Sequence, residues 1–205
     1  MFDLDLLLII IATYLIGALP FGYWLGLIYG VDLTKTGSGS TGATNVFRNI
    51  GKWQGIVVML LDAFKGFLPI FYLKNFTTYF SDGNIYIALF LLFLPLFAHS
   101  KSIYIGFKGG KASATGLGVM LAVNWLVALI TFAIWMIAVF SSGISSMGTL
   151  VSVPLVPFEL WYFKEDFVFI VFSIIAVVFI VLIKHRTNIA RLIKGEEYNF
   201  KNKSK

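Results

Sequence analysis

The chain has 205 residues, 59% hydrophobic and only 13% charged, with a net charge of +6 and a mean hydropathy of +0.88. Soluble domains hold roughly 25% charged and about 45–50% apolar residues, so this balance excludes an ordinary water-soluble fold and points to a bilayer. No cysteine is present, which removes disulfide frameworks, thiolate metal sites and cysteine nucleophiles together.

Leu4 to Val31 is apolar, with Asp5 at its start as its single charge, and is long enough to cross a membrane. Met1-Phe-Asp-Leu-Asp5 lacks the basic region of a cleaved signal, so this run reads as a retained first span. Pro20 inside it predicts a kink, because proline removes a backbone donor. A polar loop follows from Asp32 to Lys52. Trp53 to Leu73 reads as a second span anchored by Trp53, with Asp62 and Lys65 three apart and therefore on one helix face. Charges inside a membrane are costly and face the bundle interior, either lining a functional cavity or forming a mutually neutralising structural pair. Ile85 to Ala98 is a shorter apolar run containing Pro95, ended by His99, which reads as a polar helix-end residue oriented by a neighbour.

Gly116 to Phe140 is a long apolar run interrupted only by Asn124. Ser141 to Gly148 is a break of small residues. Thr149 to Phe163 holds Pro154, Pro157 and Glu159 and makes a poor single span. Phe167 to Ile183 is the last span, and Lys184 to Lys205 is a basic tail whose closing Lys201-Asn-Lys-Ser-Lys205 is expected to be solvated. The fold expected is an all-α polytopic membrane bundle, a single domain over residues 1–205.

Charge sets the expected orientation. Of sixteen Lys and Arg, three lie in the first polar loop (Lys35, Arg48, Lys52), three around residues 101–111 (Lys101, Lys108, Lys111) and seven in the tail. The positive-inside rule puts these three segments in the cytoplasm, with the N-terminus outside and the C-terminus inside. That demands an odd number of crossings: five are easily drawn, and about seven follow if the region 116–163 divides further. In such a chain the basic excess speaks of orientation, and nucleic acid is not an expected partner.

Two glycine-rich loops fall on this one face. Gly37-Ser-Gly-Ser-Thr-Gly42 matches G-x-G-x-x-G, but that fingerprint requires a preceding strand, and here it lies between membrane helices. It still offers turning glycines (Gly37, Gly39, Gly42), the hydroxyls of Ser38 and Thr44, and Asn45 and Arg48, as a phosphate-holding set. The second loop, Gly106-Phe-Lys-Gly-Gly-Lys-Ala-Ser-Ala-Thr115, is not a Walker A loop, since Ala112 follows Lys111. Gly109 and Gly110 flanked by Lys108 and Lys111, with Thr115 beyond, make a second candidate cradle. The third constellation is His185-Arg-Thr-Asn-Ile-Ala-Arg-Leu-Ile-Lys-Gly-Glu-Glu197. If the last helix continues past Ile183, His185, Asn188 and Arg191 share a face, and a histidine there suits proton transfer. Clustered metal ligands, a Gly-x-Ser-x-Gly elbow and the pattern H-x-x-x-x-D are all absent.

Together these segments resemble the bacterial acyl-phosphate:glycerol-3-phosphate acyltransferase (PlsY) family. Ser38-Gly-Ser-Thr-Gly-Ala-Thr-Asn-Val-Phe-Arg48, Phe107-Lys-Gly-Gly-Lys-Ala-Ser-Ala-Thr115 and His185 through Glu197 look like its three motifs. Leu19 to Tyr23 and Asp62 to Gly66 are similar to its first span and its Asp-x-x-Lys-Gly. Ser40 stands where the family carries Asn, Ala112-Ser113 where it carries Gly-Val, and Ala98-His99-Ser-Lys101 where it carries Gly-His, an apolar pair and proline.

The resemblance implies seven membrane helices in a bacterial cell membrane, with the active site built from cytoplasmic segments 35–52, 99–115 and 184–197. It implies transfer of a fatty acyl group from acyl phosphate to the 1-hydroxyl of glycerol 3-phosphate, giving lysophosphatidic acid and phosphate. No metal, thiol or other cofactor is needed, because acyl phosphate is already activated. It assigns Ser38, Arg48, Lys111, His185 and Asn188 to the reacting groups and phosphates, Gly109 and Gly110 to the phosphate loop, and a structural role to Glu197. Membrane lipid surrounds the protein, and a monomer is expected. The hydroxyl proton goes either to His185 or to a substrate phosphate oxygen. An inactive paralog and a small transporter of phosphate esters stay open as other readings, the latter because glycine loops beside broken helices also hold anions in transporters.

Overall fold

Inside a bilayer no water satisfies the backbone, so apolar segments must pair their own N–H and C=O groups as helices. The computed structural model describes residues 4–81 and 84–201, and has no strand among them beyond one antiparallel bridge between Ser102 and Lys108. The expected N-terminal start at Met1 to Asp3 and most of the closing tail, Asn202 to Lys205, lie outside the described residues. The chain divides into two compact units, Met1–Val123 and Asn124–Lys205.

In the first unit α1 (Leu4–Ala18) and α2 (Phe21–Ile28) are separated at Leu19-Pro20. The kink expected at Pro20 is a full break. The carbonyls that the break leaves without helical donors are taken from elsewhere: Ser102 Oγ donates to Ala18 O at 2.6 Å, and Lys65 Nζ to Leu19 O at 2.6 Å. A short α3 (Ala43–Asn49) leads into α4 (Lys52–Phe76), which keeps Pro69 within it. Next come α5 (Ile85–Ser100) and α6 (Ser113–Val123). α1 packs on α5, while α3 and α6 both pack on α4. The α4–α6 approach is at backbone distance, with Gly118 facing the Ala63 carbonyl and Gly66 facing that of Thr115.

The second unit contains α7 (Trp125–Ser142), α8 (Ser145–Ser152), a 3-10 turn over Val153–Leu155, α9 (Val156–Tyr162) and α10 (Phe167–Val177). A π-helical stretch, Val178–Lys184, then leads into α11 (Arg186–Ile193). The apolar run 116–140 is therefore not one helix. Asn124 divides it, because its Oδ1 accepts the N–H groups of Leu126 and Val127 and so caps a new helix. One polar side chain at a helix start outweighs apolar continuity.

At the C-terminal end Lys201 is exposed, as expected, and its Nζ also donates to Ser141 O at 2.7 Å, while Asn199 Nδ2 donates to Ser142 O at 3.0 Å. A cation and an amide thus cover the carbonyl end of α7, where the helix dipole is negative. Leu4–Ile28, Lys52–Phe76, Trp125–Ser142 and Phe167–Lys184 are long and apolar enough to cross a membrane, while Ile85–Ser100 and Ser113–Val123 are apolar but shorter.

Candidate active site

The first glycine loop is built around Asn45. Its side chain is buried, reaching back from α3 under the loop. Oδ1 accepts the Ser38 N–H at 3.1 Å, and Nδ2 donates to Thr36 O at 2.9 Å, Ser40 O at 2.8 Å and Leu33 O at 3.3 Å. Asn49 Nδ2 adds a bond to Asn45 Oδ1 at 2.9 Å. Below them Leu33, Val46 and Val58 form a small closed core. Gly37 has φ +62°, and a methyl there would overlap Asn45 Oδ1. Glycine at this position is what lets the amide close the loop. Asp32 starts the turn by accepting both the hydroxyl (2.7 Å) and the N–H (3.0 Å) of Thr34. The Thr34 hydroxyl holds the Asp32 carboxyl below its ordinary range.

This construction changes how the loop can meet an anion. The sequence suggested backbone N–H groups converging on phosphate. In the structure three of them are spent internally: Ser38 on Asn45, Gly39 on Thr36 O at 3.1 Å, and Gly42 on Ser40 Oγ at 3.3 Å. The donors turned outward are side chains. Ser38 is exposed, and Thr44 and Arg48 are exposed one helical turn apart on α3, opposite the buried Asn45 and Val46. Asn45 therefore organises the loop, while Ser38, Thr44 and Arg48 present its chemistry.

The second loop is pinned at its base. Ser102 donates its N–H to Lys108 O at 3.0 Å, and Gly110 donates its own to His99 O at 3.1 Å. Ser100 Oγ donates to Gly110 O at 3.1 Å. The Gly110 amide is thus engaged within the fold, and the outward groups of this loop are the exposed Lys108 and the half-buried Gly109 and Lys111. Thr115 is fully buried against Gly66, on the inner side of α6. Ala112 has φ +64°, so this alanine occupies left-handed backbone where an L side chain costs roughly 1–2 kcal/mol. The expected Asp62–Lys65 pair forms, Nζ to Oδ1 2.7 Å, both residues buried, with His99 Nδ1 3.6 Å from the same oxygen.

In the second unit the third segment is not a continuation of the preceding helix. The π-helical stretch ends at Lys184, His185 breaks the path at φ −101°, ψ 8°, and α11 starts at Arg186. His185 is buried, with Nδ1 2.8 Å from Ile180 O. A carbonyl only accepts, so Nδ1 carries the proton and Nε2 is the accepting nitrogen of the neutral ring. Asn188 Nδ2 donates to Glu197 Oε1 at 2.5 Å, Arg191 Nε to Glu197 Oε2 at 2.6 Å, and Ser146 Oγ to Glu197 Oε1 at 2.9 Å. Glu197 is the hub of this cluster. Ser146, which sequence reasoning passed over as part of a small-residue break, is its third support; only the approach of α8 to residue 197 reveals it.

Burial pushes the Glu197 carboxyl up, but the bonds from Arg191, Asn188 and Ser146 outweigh this and hold it below its usual value. Its stabilising contribution is therefore complete above the unfolded carboxylate pKa, about 4.3, and disappears as pH falls through the lower folded value. Thermal unfolding in detergent between pH 7 and pH 3 should show an acid-side loss of midpoint that Glu197→Gln reduces. Equal acid slopes for both proteins would count against the clamp.

A family model described as glycerol-3-phosphate acyltransferase matches residues 7–195. Among curated relatives, the glycerol-3-phosphate acyltransferase of Prochlorococcus marinus (strain MIT 9215) is 40% identical over 193 residues, covering 93% of this chain and 95% of its own. That of Fusobacterium nucleatum subsp. nucleatum is 35% identical, covering 94% of this chain and 96% of its own. The crystal structure of PlsY, an integral membrane glycerol 3-phosphate acyltransferase, in its glycerol 3-phosphate form is similar at TM-score 0.87 and 33% identity, over 96% of both chains. The lysophosphatidic acid form of PlsY is similar at TM-score 0.84 and 32% identity, over 96% of this chain and 95% of the other.

Proposed function

The chain belongs to the glycerol-3-phosphate acyltransferase family, and we propose that it moves a fatty acyl group from acyl phosphate to the 1-hydroxyl of glycerol 3-phosphate. Acyl transfer to glycerol 3-phosphate in phospholipid synthesis, by an integral membrane enzyme, is what the family membership carries. The observation that bears most weight is the near-complete likeness to PlsY, crystallised in both a glycerol 3-phosphate and a lysophosphatidic acid form. The single acyltransferase domain over the whole chain is likewise a proposal, supported by a family model that runs through both units.

In the proposed reaction the 1-hydroxyl oxygen attacks the acyl carbonyl carbon. A new ester C–O bond forms, the anhydride C–O bond to phosphate breaks, and inorganic phosphate leaves with that electron pair. The hydroxyl proton passes to a base. The tautomer of His185 supports Nε2 as the nitrogen that accepts the hydroxyl, with Asn188 beside it on the same segment to fix the substrate. Arg48 and Lys111 supply cationic donors for the phosphates, Arg48 with a fork suited to paired phosphate oxygens. Ser38 adds a hydroxyl donor. Direct transfer, not a serine acyl-enzyme, is the route proposed: Ser38 sits on an exposed loop, and no base is hydrogen-bonded to its hydroxyl among the described residues.

The donor is tested with purified protein. Acyl phosphate should yield phosphate only when glycerol 3-phosphate is present, and acyl-CoA should not replace it. Equal turnover with acyl-CoA and none with acyl phosphate would sink the proposed donor.

Seven crossings, with the three basic segments cytoplasmic, is the proposed topology in a bacterial inner membrane, and the protein is proposed to act as a monomer. Contacts within the second unit support the alternation. Asn124 Nδ2 meets Glu165 Oε1 at 2.8 Å at one end of the helices. The α7–α8 turn meets the tail through Lys201 and Asn199 at the other. The natural absence of cysteine makes a direct test simple. Single cysteines at Lys35 and Lys101 should resist an impermeant maleimide in intact cells, and one at Thr78 should react. The reverse pattern would invert the topology.

A further inference from the structure

Asp62, Lys65 and His99 are buried and take no part in the transfer described above. Burying three ionisable groups is expensive, and apolar residues of similar volume would pack at lower cost. Their arrangement indicates what they are kept for. Lys65 Nζ is held by Asp62 Oδ1 at 2.7 Å and by Leu19 O at 2.6 Å, and lies 5.7 Å from the centre of the Phe21 ring. Lys65 is thereby tied to the helix break at Pro20. Asp62 uses the same Oδ1 to face His99 Nδ1 at 3.6 Å. The opposite edge of the imidazole lies directly under the second glycine loop, so that a methyl on Gly110 would overlap Nε2. The Gly110 peptide is also gripped on both sides, its N–H by His99 O at 3.1 Å and its carbonyl by Ser100 Oγ at 3.1 Å.

We propose that His99 is a positioning residue: Asp62, neutralised by Lys65, orients its imidazole, and the imidazole sets the height of the Gly110 peptide so that Lys108, Gly109 and Lys111 meet a substrate phosphate. The inference rests on the acyl-transfer reading, because it takes this loop to hold the phosphate group that both substrates share. His99 touches no reacting atom. Its influence passes through Gly110, which explains why a glycine is needed there although its φ is not in the left-handed region.

The test is a steric cycle on the full-length protein in detergent. His99→Ala, and separately His99→Asn, which keeps an amide toward Asp62 but removes the ring, should raise the KM of one substrate about tenfold. The kcat should stay within about threefold, the signature of lost ground-state positioning. Varying acyl phosphate and glycerol 3-phosphate in separate series identifies whose phosphate the loop holds. Gly110→Ala should give the same split. The double variant His99→Ala with Gly110→Ala should be no worse than His99→Ala alone, because removing the ring makes room for the methyl. Amide hydrogen exchange over residues 106–112 should quicken in the His99 variants, a readout independent of turnover. Unchanged KM for both substrates, or multiplicative losses in the double variant, would overturn the proposal, as would unaltered exchange in both His99 variants. A wild-type protein that transfers from neither donor would instead sink the acyl-transfer reading, and the exchange cycle would still report on the loop.

Discussion

Asn188→Ala is expected to lower acyl transfer by about 10³-fold, the range seen when a preorganised hydrogen-bond donor at a reacting centre is removed. Asn188 is buried on α11, three residues after His185, and its Nδ2 is fixed by Glu197 Oε1 at 2.5 Å. Its rotamer is therefore set before substrate arrives, so no ordering cost falls on the reaction step. Truncation removes that polar group and leaves Glu197 with Arg191 and Ser146 as partners. The fold should survive, with an unfolding midpoint close to that of the wild type. Asn188→Asp should be at least as damaging despite its similar shape, because it sets a second carboxylate against Glu197. Turnover within about tenfold of the wild type for Asn188→Ala would overturn the catalytic role proposed for this residue.

The second large effect concerns folding. Gly118→Ala should cost about 3 kcal/mol or more, at the upper end of overpacking penalties, because the added methyl falls on a backbone atom that cannot rotate away. Gly118 on α6 faces the Ala63 carbonyl of α4, and Gly66 on α4 faces the Thr115 carbonyl of α6. Close approach through small residues is how membrane helices gain packing without a hydrophobic drive between them. Carbon and carbonyl oxygen normally stop at about 3.3 Å, so the two helices would have to part. That would shift Ser113 and the second loop, which leads into α6. The expected results are a lower yield of folded protein and a depressed unfolding midpoint, whereas Leu121→Ala on the exposed side of α6 should change little. A Gly118→Ala midpoint matching the wild type would show that the contact is not tight in solution.

Much of the molecule was legible in order of residues alone. The Asp62–Lys65 spacing foretold a buried pair, and that pair is present at 2.7 Å. Pro20 announced a discontinuity, and the helix breaks there. What could not be read was where loop donors go. Gly37 to Gly42 looks like an open amide cradle in sequence, yet Asn45, Thr36 and Ser40 take the amides of Ser38, Gly39 and Gly42, and the side chains of Ser38, Thr44 and Arg48 are exposed. Asn45 fits either role by its chemistry, and only its burial decides between them. Ala112 shows the same limit from the other direction: nothing beside it in sequence reveals that its φ is +64°.

The amino-acid sequence by itself determined the membrane class, the helical character and the three polar segments, because these follow from local composition, spacing and charge. It determined the family as well, through motifs that survive at fixed spacing. Tertiary structure decided the arrangement of the proposed site: the grip of Glu197 on Asn188, Arg191 and Ser146, the hydrogen bond that sets the His185 ring, the split at Asn124, and the imidazole of His99 beneath Gly110. The Ser146–Glu197 contact joins residues 51 apart in the chain, and the others, though closer in sequence, depend on where a helix starts or stops. Burial and distance set their energies, and the spacing of residue types does not give either.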